Sequence, residues 1–200
     1  MNKFDKVFGG LILGFIIPVI SMCIFWWDSF LLGLDIQFWV IAGIVIGVVL
    51  DIMLLRKILS RFYYLSTFTL LILYLVYSIG IFGFFMGVPV FNIITGIISG
   101  VYVGRKTKIT GQSIDIFKDE IRKAAKFSSV ILLGICFCSA FIAVTDPYTG
   151  ANLQGMLNLG FEVTNTIICL VIIFGGAGLL LLQYLLLLKA GRIAYEKINW

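Results

Sequence analysis

The sequence predicts an all-α fold: a polytopic membrane protein built as a six-transmembrane-helix bundle with its N- and C-termini in the cytoplasm. Three observations predict it. Of 200 residues, 61% are hydrophobic and 12% charged, against about 25% charged in an average soluble domain. Charge-poor apolar runs recur at the ~20-residue length that a ~30 Å hydrocarbon core asks of a helix. Every Lys and Arg falls in segments that six crossings place on one side of the membrane. A β-barrel is excluded because no segment alternates apolar and polar residues with period two.

The spans follow in order within a single transmembrane domain, 1–200. The first is 7–27, which is longer than a signal-peptide core and lacks a small-x-small cleavage site, so it reads as retained. The second is 36–55, interrupted only by Asp51. No charged residue occurs from Phe62 to Gly104. Gly83, Gly87 and Pro89 break that stretch into a hairpin of two spans, 62–82 and 88–104. The fifth span is 127–145 and the sixth 164–188.

The bases now sort themselves. They lie at the N-terminus (Lys3, Lys6), after the second span (Arg56, Lys57, Arg61), in the segment 105–126, and after the sixth span (Lys189, Arg192, Lys197). The opposite side carries only acids: Asp28, Asp35, Asp146 and Glu162. By the positive-inside rule both termini are cytoplasmic, and the protein is expected in the cell (plasma) membrane as a multi-pass protein. Trp26 and Trp27 close the first span as an aromatic belt would. The net charge of +5 therefore marks orientation, and no nucleic acid is expected as a partner.

The segment 105–126 reads as a cytoplasmic, basic amphipathic loop that carries a helix. Ser113 is its cap, Ile114, Phe117, Ile121 and Ala125 form its apolar side, and Asp119 with Lys123 makes an i,i+4 pair. The lipid bilayer is the first expected partner, with anionic headgroups attracted to this cytoplasmic face.

Polar residues inside the spans supply the candidate site. Asn92, Thr95, Ser99 and Tyr102 recur at i, i+3, i+7 and i+10, one stripe on the fourth span, beside a ridge of Gly96, Gly100 and Gly104. Tyr63, Thr67, Tyr74, Tyr77 and Ser78 form a similar stripe on the third. Such faces turn to protein or water, not to lipid. They fit interhelical hydrogen bonding, at roughly 0.6 kcal/mol each, or the lining of a ligand-binding site or path. Gly175, Gly176 and Gly178 on the sixth span mark close helix packing or a hinge of the kind seen in discontinuous transporter helices. Asp51 is the one intramembrane charge, fitting interfacial pairing or a proton or cation relay.

Enzyme chemistry finds no support. Without histidine there is no imidazole base or ligand. Cys23, Cys136, Cys138 and Cys169 form no Cys-x-x-Cys and read as structural thiols. No catalytic residue, metal site or cofactor is called for. Two functions remain: a small transport or solute-binding bundle with its site among spans three, four and six, or a non-catalytic accessory or scaffold subunit of a membrane complex. The corresponding partners are a small solute, a second copy of the chain, or another membrane subunit.

Overall fold

The computed structural model describes residues 3–85 and 87–197. It is 86% helical, with no strand among the described residues. Among the described residues, five helical stretches are long and apolar enough to cross a membrane: Lys3–Leu32, Ile36–Leu55, Thr67–Phe84, Ile114–Thr145 and Asn165–Glu196. Only 6–17% of the most apolar window of each is buried inside the protein, so those surfaces lack protein cover and suit a lipid solvent. The chain divides into two compact units, one ending at Leu65 and one beginning at Ser66.

The first unit holds α1 (Lys3–Leu13), α2 (Ile16–Leu32) and α3 (Ile36–Leu59), then a single 3₁₀ turn at Phe62–Tyr64. The expected first span is two helices, interrupted at Gly14 and Phe15. Pro18 explains part of the interruption: it has no N–H to offer the carbonyl four residues back, which is that of Gly14. The turn between α2 and α3 uses Gly33 at φ +65°, with Leu34 N–H donating back to the Ser29 carbonyl at 2.9 Å. Asp35 then caps α3, accepting from the N–H groups of Gln37 (3.0 Å) and Phe38 (3.3 Å). Helices α2 and α3 run antiparallel and close: a Cβ on Gly43 would lie 2.8 Å from Phe25 Cβ, and one on Gly47 would lie 2.5 Å from Pro18 Cα. At the other end of α3, Phe8 meets Phe62 edge-on at 6.1 Å. There Tyr63 O–H donates to Asp5 at 2.8 Å, with both side chains buried. Trp26, Trp27 and Phe30 remain exposed on α2 as an edge-to-face aromatic cluster at 5.4 and 6.2 Å.

The second unit starts with α4 (Thr67–Phe84), capped by Ser66, which accepts from Thr69 N–H at 3.1 Å. Gly87 at φ +82° reverses the chain. A 3₁₀ turn at Pro89–Asn92 then leads into α5 (Ile93–Ile109). The 17 residues of α5 place it outside the five long apolar stretches. Helix and turn together still extend roughly 33 Å, from about 1.5 Å per α residue and 2.0 Å per 3₁₀ residue. The helix does not stop at Gly104 but continues until Gly111 takes φ +66° and Gln112 N–H closes on the Thr107 carbonyl at 3.0 Å. Arg105 is consequently a fully buried helix residue, not part of a solvated loop.

Ser113 caps the next helix as its sequence position suggests, accepting from Ile116 N–H at 3.5 Å. That helix, α6 (Ile114–Thr145), runs 32 residues without a break. The basic amphipathic stretch and the fifth apolar run are therefore one continuous rod. Phe117, Ile121 and Ala125 are buried, Ile114 is exposed, and Lys123 pairs with Asp119 at 2.7 Å. The Asp146 carboxylate accepts from Tyr148 N–H at 2.9 Å, and the nine-residue α7 (Thr149–Leu157) follows, ending at Asn158 with φ 49°. The last long stretch comprises α8 (Asn165–Leu170), one π turn at Val171–Gly175 and α9 (Gly176–Glu196).

Helices α5 and α9 form the axis of this unit and run parallel in a fixed register. Gly96 faces Gln183, Gly100 faces the Leu187 carbonyl, and Gly104 faces the Gly191 carbonyl. The glycine ridge of α5 lets α9 approach to its main chain, most closely where Gly104 meets Gly191 and Ala194, which is how membrane helices come near enough for dispersion to hold them. Antiparallel α6 crosses both, placing Ile121 on Gly191 and stacking Phe117 on Tyr195 at 4.6 Å. Cys23, Cys138 and Cys169 are exposed and Cys136 half-buried, all four as free thiols on apolar helix surfaces.

Candidate functional site

A polar cluster forms where α4, α5, α6 and α9 meet. Its scaffold is the glycine ridge: a Cβ on Gly96 would lie 2.6 Å from Gln183 Cγ, so only glycine lets that side chain enter between α5 and α9. Gln183 is wholly buried and donates its amide to the Ser128 carbonyl at 3.0 Å and to the Tyr74 hydroxyl at 3.4 Å. Asn92, also buried, sits in the 3₁₀ turn ahead of α5 and donates to the Ser78 carbonyl at 2.8 Å. Ser78 and Thr95 hydroxyls meet at 3.5 Å.

Proton counting gives the network a direction. Thr95 has one hydroxyl proton, and its 2.7 Å contact with the Asn92 carbonyl claims it. The 3.3 Å contact between Thr95 and Tyr74 oxygens therefore runs with Tyr74 as donor. The chain reads Gln183 to Tyr74 to Thr95 to the Asn92 carbonyl. Tyr74 is held from the side by Phe127, edge-on at 5.6 Å.

Two acceptors in this cluster have no partner: Asn92 Oδ1 and Gln183 Oε1. Each such group costs roughly 1–3 kcal/mol relative to a satisfied one. The cluster thus has acceptor capacity to spare. These six residues include no charge and no nucleophile–base pair, so their chemistry is recognition by hydrogen bonding.

The sequence stripes divide between this cluster and elsewhere. Tyr74, Ser78, Asn92 and Thr95 come together. Thr67 lies exposed in the first turn of α4, and Ser99 is half-buried outside the network. Tyr102 is buried lower on α5, with Lys106 Nζ 6.0 Å from its ring. Gly96 and Gly100 are packing positions against α9. Gly175, Gly176 and Gly178 meet no neighbouring helix: a Cβ at the latter two would meet nothing within 4 Å. The helix keeps its continuity there through the π turn. The polar stripes of the third and fourth spans include neither Gln183 nor Ser128; an amide mid-way along an apolar run is the signal for Gln183.

Two other features stand apart within the first unit. Lys57, Ile58, Ser60, Arg61 and Leu65 line an open cleft of about 500 Å³ at the end of α3. Asp51 is 8% exposed on α3, with Oδ1 unpartnered and Oδ2 against Gly14.

Comparison of the chain with protein-family models, with curated proteins and with solved structures finds no match in any of the three. The class rests on the helices: several apolar helices of spanning length are consistent with an integral membrane protein.

Proposed function

We propose that this chain is a multi-pass protein of the cell membrane that binds a small solute at the cluster of Tyr74, Ser78, Asn92, Thr95 and Gln183, as a transporter or a solute-capturing bundle. The observation that carries the reading is the pair of buried, unfilled acceptors, Asn92 Oδ1 and Gln183 Oε1. A neutral or cationic solute bearing N–H or O–H donors satisfies both, recovering the cost of leaving them bare. An anion is disfavoured, because it brings acceptors to acceptors.

Six crossings with both termini in the cytoplasm fit this reading. Helix α5 lies parallel to α9 and antiparallel to α4, as a crossing of the same sense as α9 requires. The positive-inside distribution then orients the bundle. Anionic headgroups are the proposed lipid partners, taken up by the bases of α6 and by the Lys57–Arg61 cleft. An accessory subunit would offer its glycine ridges and the basic segment 105–126 to partners; Gly96, Gly100 and Gly104 face α9 instead, which favours the solute reading.

The test is a thermal-shift screen of purified protein across sugars, polyols, amides, amines and amino acids. Wild type is expected to respond to one donor-bearing class, and Asn92→Leu and Gln183→Met to lose that response while keeping wild-type circular dichroism. No response to any class, or an equal response in both folded variants, refutes the site.

A further inference from the structure

The first unit contains a feature that the solute site does not use. Asp51 lies inside the apolar stretch Ile36–Leu55, is 8% exposed, and forms no hydrogen bond or ion pair among the described residues. Its carboxylate faces the interruption between α1 and α2: Oδ2 is 3.3 Å from where a Cβ of Gly14 would stand. The main chain there is itself short of a donor, since Pro18 cannot supply the N–H that the Gly14 carbonyl would receive in an unbroken helix. An acid thus lies against a residue whose main-chain acceptor has lost its helical donor.

Such an arrangement is expensive for an anion. A bare carboxylate in an apolar medium is strongly disfavoured unless it is paired, bound to a cation or protonated. Hard divalent cations take about six to eight oxygen ligands, and no group of three His, Cys, Asp or Glu gathers among the described residues. Of the charged and titratable groups on the packed elements, α1 offers Lys3, Asp5 and Lys6, and α2 offers Cys23 and Asp28. Every one lies at least eight residues from Gly14, roughly 12 Å along a helix. On α3 itself Arg56 and Lys57 follow beyond the apolar stretch. A proton relieves the charge without any further ligand.

We propose that Asp51 is a reversible proton-binding site at the break in the first membrane helix. An acid in the aqueous phase, hydronium or a buffer molecule, gives up its proton, and an O–H bond forms at the carboxylate with no change of oxidation state. Protonation removes the buried charge and turns one of two acceptors into a donor. Release returns the proton to water and restores the charge. Because Asp51 lies four residues from the Leu55 end of its stretch, the exchange takes place with the aqueous phase at that end.

Infrared difference spectroscopy of the full chain in nanodiscs, titrated over pH, tests this. Wild type is expected to show a protonated-carboxyl stretch that titrates and moves in D₂O. That stretch should be lost in Asp51→Asn and displaced in frequency in Asp51→Glu. A titration series with no such band, or a band identical in wild type and Asp51→Asn, overturns the proposal. If the Asn variant does not fold, the Glu variant decides, because an unmoved band belongs to another carboxyl. A melting temperature that rises with sodium or potassium chloride at fixed pH in wild type but not in Asp51→Asn also overturns it, assigning the site to a metal cation.

Discussion

Gln183 of α9 donates its side-chain amide to the main-chain carbonyl of Ser128 on α6 at 3.0 Å, across 55 residues of sequence. Its stem lies on Gly96 of α5 and its amide also reaches Tyr74 of α4. One side chain of α9 thus touches the other three helices of the polar cluster. The glycine ridge of α5 and the hydroxyl stripe of α4 are two sides of one arrangement, the first making room and the second filling it.

Replacement of Gln183 by Met separates binding from folding. Met keeps the unbranched stem against Gly96, removes hydrogen bonds worth roughly 0.6 kcal/mol each in a membrane, and also removes the unpartnered Oε1. The two changes offset, so unfolding in bicelles should shift by less than about 1 kcal/mol. Solute response should be abolished in the same preparation.

The glycines are expected to divide sharply. A Cβ on Gly100 or Gly104 collides with the main-chain carbonyls of Leu187 and Gly191, which cannot rotate aside as a side chain can. Gly100→Ala and Gly104→Ala should each destabilise by about 1–3 kcal/mol or more, as overpacking does. Gly178→Ala, with nothing within 4 Å of its Cβ, should be neutral or stabilising by up to about 1 kcal/mol. Chemical unfolding of the three variants side by side measures the contrast. If the ridge faced a partner instead, the isolated protein would tolerate all three.

How far these features could be read from sequence depends on whether their cause is local. The recurrence of apolar helices of spanning length, the Ser113 cap and the Asp119–Lys123 pair are written in neighbouring residues, and the structure has all three. The α1–α2 break was passed over because hydropathy is blind to Gly14 and Pro18 within an apolar run. Charge density after Gly104 points to a loop, but Arg and Lys are good helix formers and the helix stops only at Gly111. Half of the polar stripe was legible through its period. Which half joins the cluster was not, since Ser128 and Gln183 arrive from distant sequence and only the packing register of α5 on α9 brings them in.

In the first unit, Tyr63 and Asp5 make the corresponding test of a buried polar contact. Tyr63 is 2% exposed, Asp5 fully buried, and the bond between them 2.8 Å long. Tyr63→Phe keeps the ring against Phe62, where the centroids are 5.0 Å apart, and withdraws only the donor. The expected loss is about 0.5–1.5 kcal/mol, the net range for one intramolecular hydrogen bond. Differential scanning calorimetry of the variant in detergent should show a lower melting temperature. An unchanged one would mean that the hydroxyl contributes nothing to Asp5.

The membrane sidedness of α5 can be decided by four single cysteines in a background lacking the native ones, labelled with an impermeant maleimide. Ser60 follows α3, Val88 precedes α5, Gln112 joins α5 to α6, and Gln154 lies on α7. If α5 crosses the membrane, Ser60 and Gln112 label from one side, and Val88 and Gln154 from the other. If α5 stays on one side, Val88 and Gln112 label together and Gln154 joins Ser60. The first pattern is expected. Parallel packing of α5 on α9 places Gly96, Gly100 and Gly104 level with Gln183, Leu187 and Gly191 in the same order. A helix meshed along two turns with a spanning helix shares its depth. The turn at Pro89–Asn92 supplies the extra rise, roughly 8 Å at 2.0 Å per residue, that brings α5 to membrane thickness.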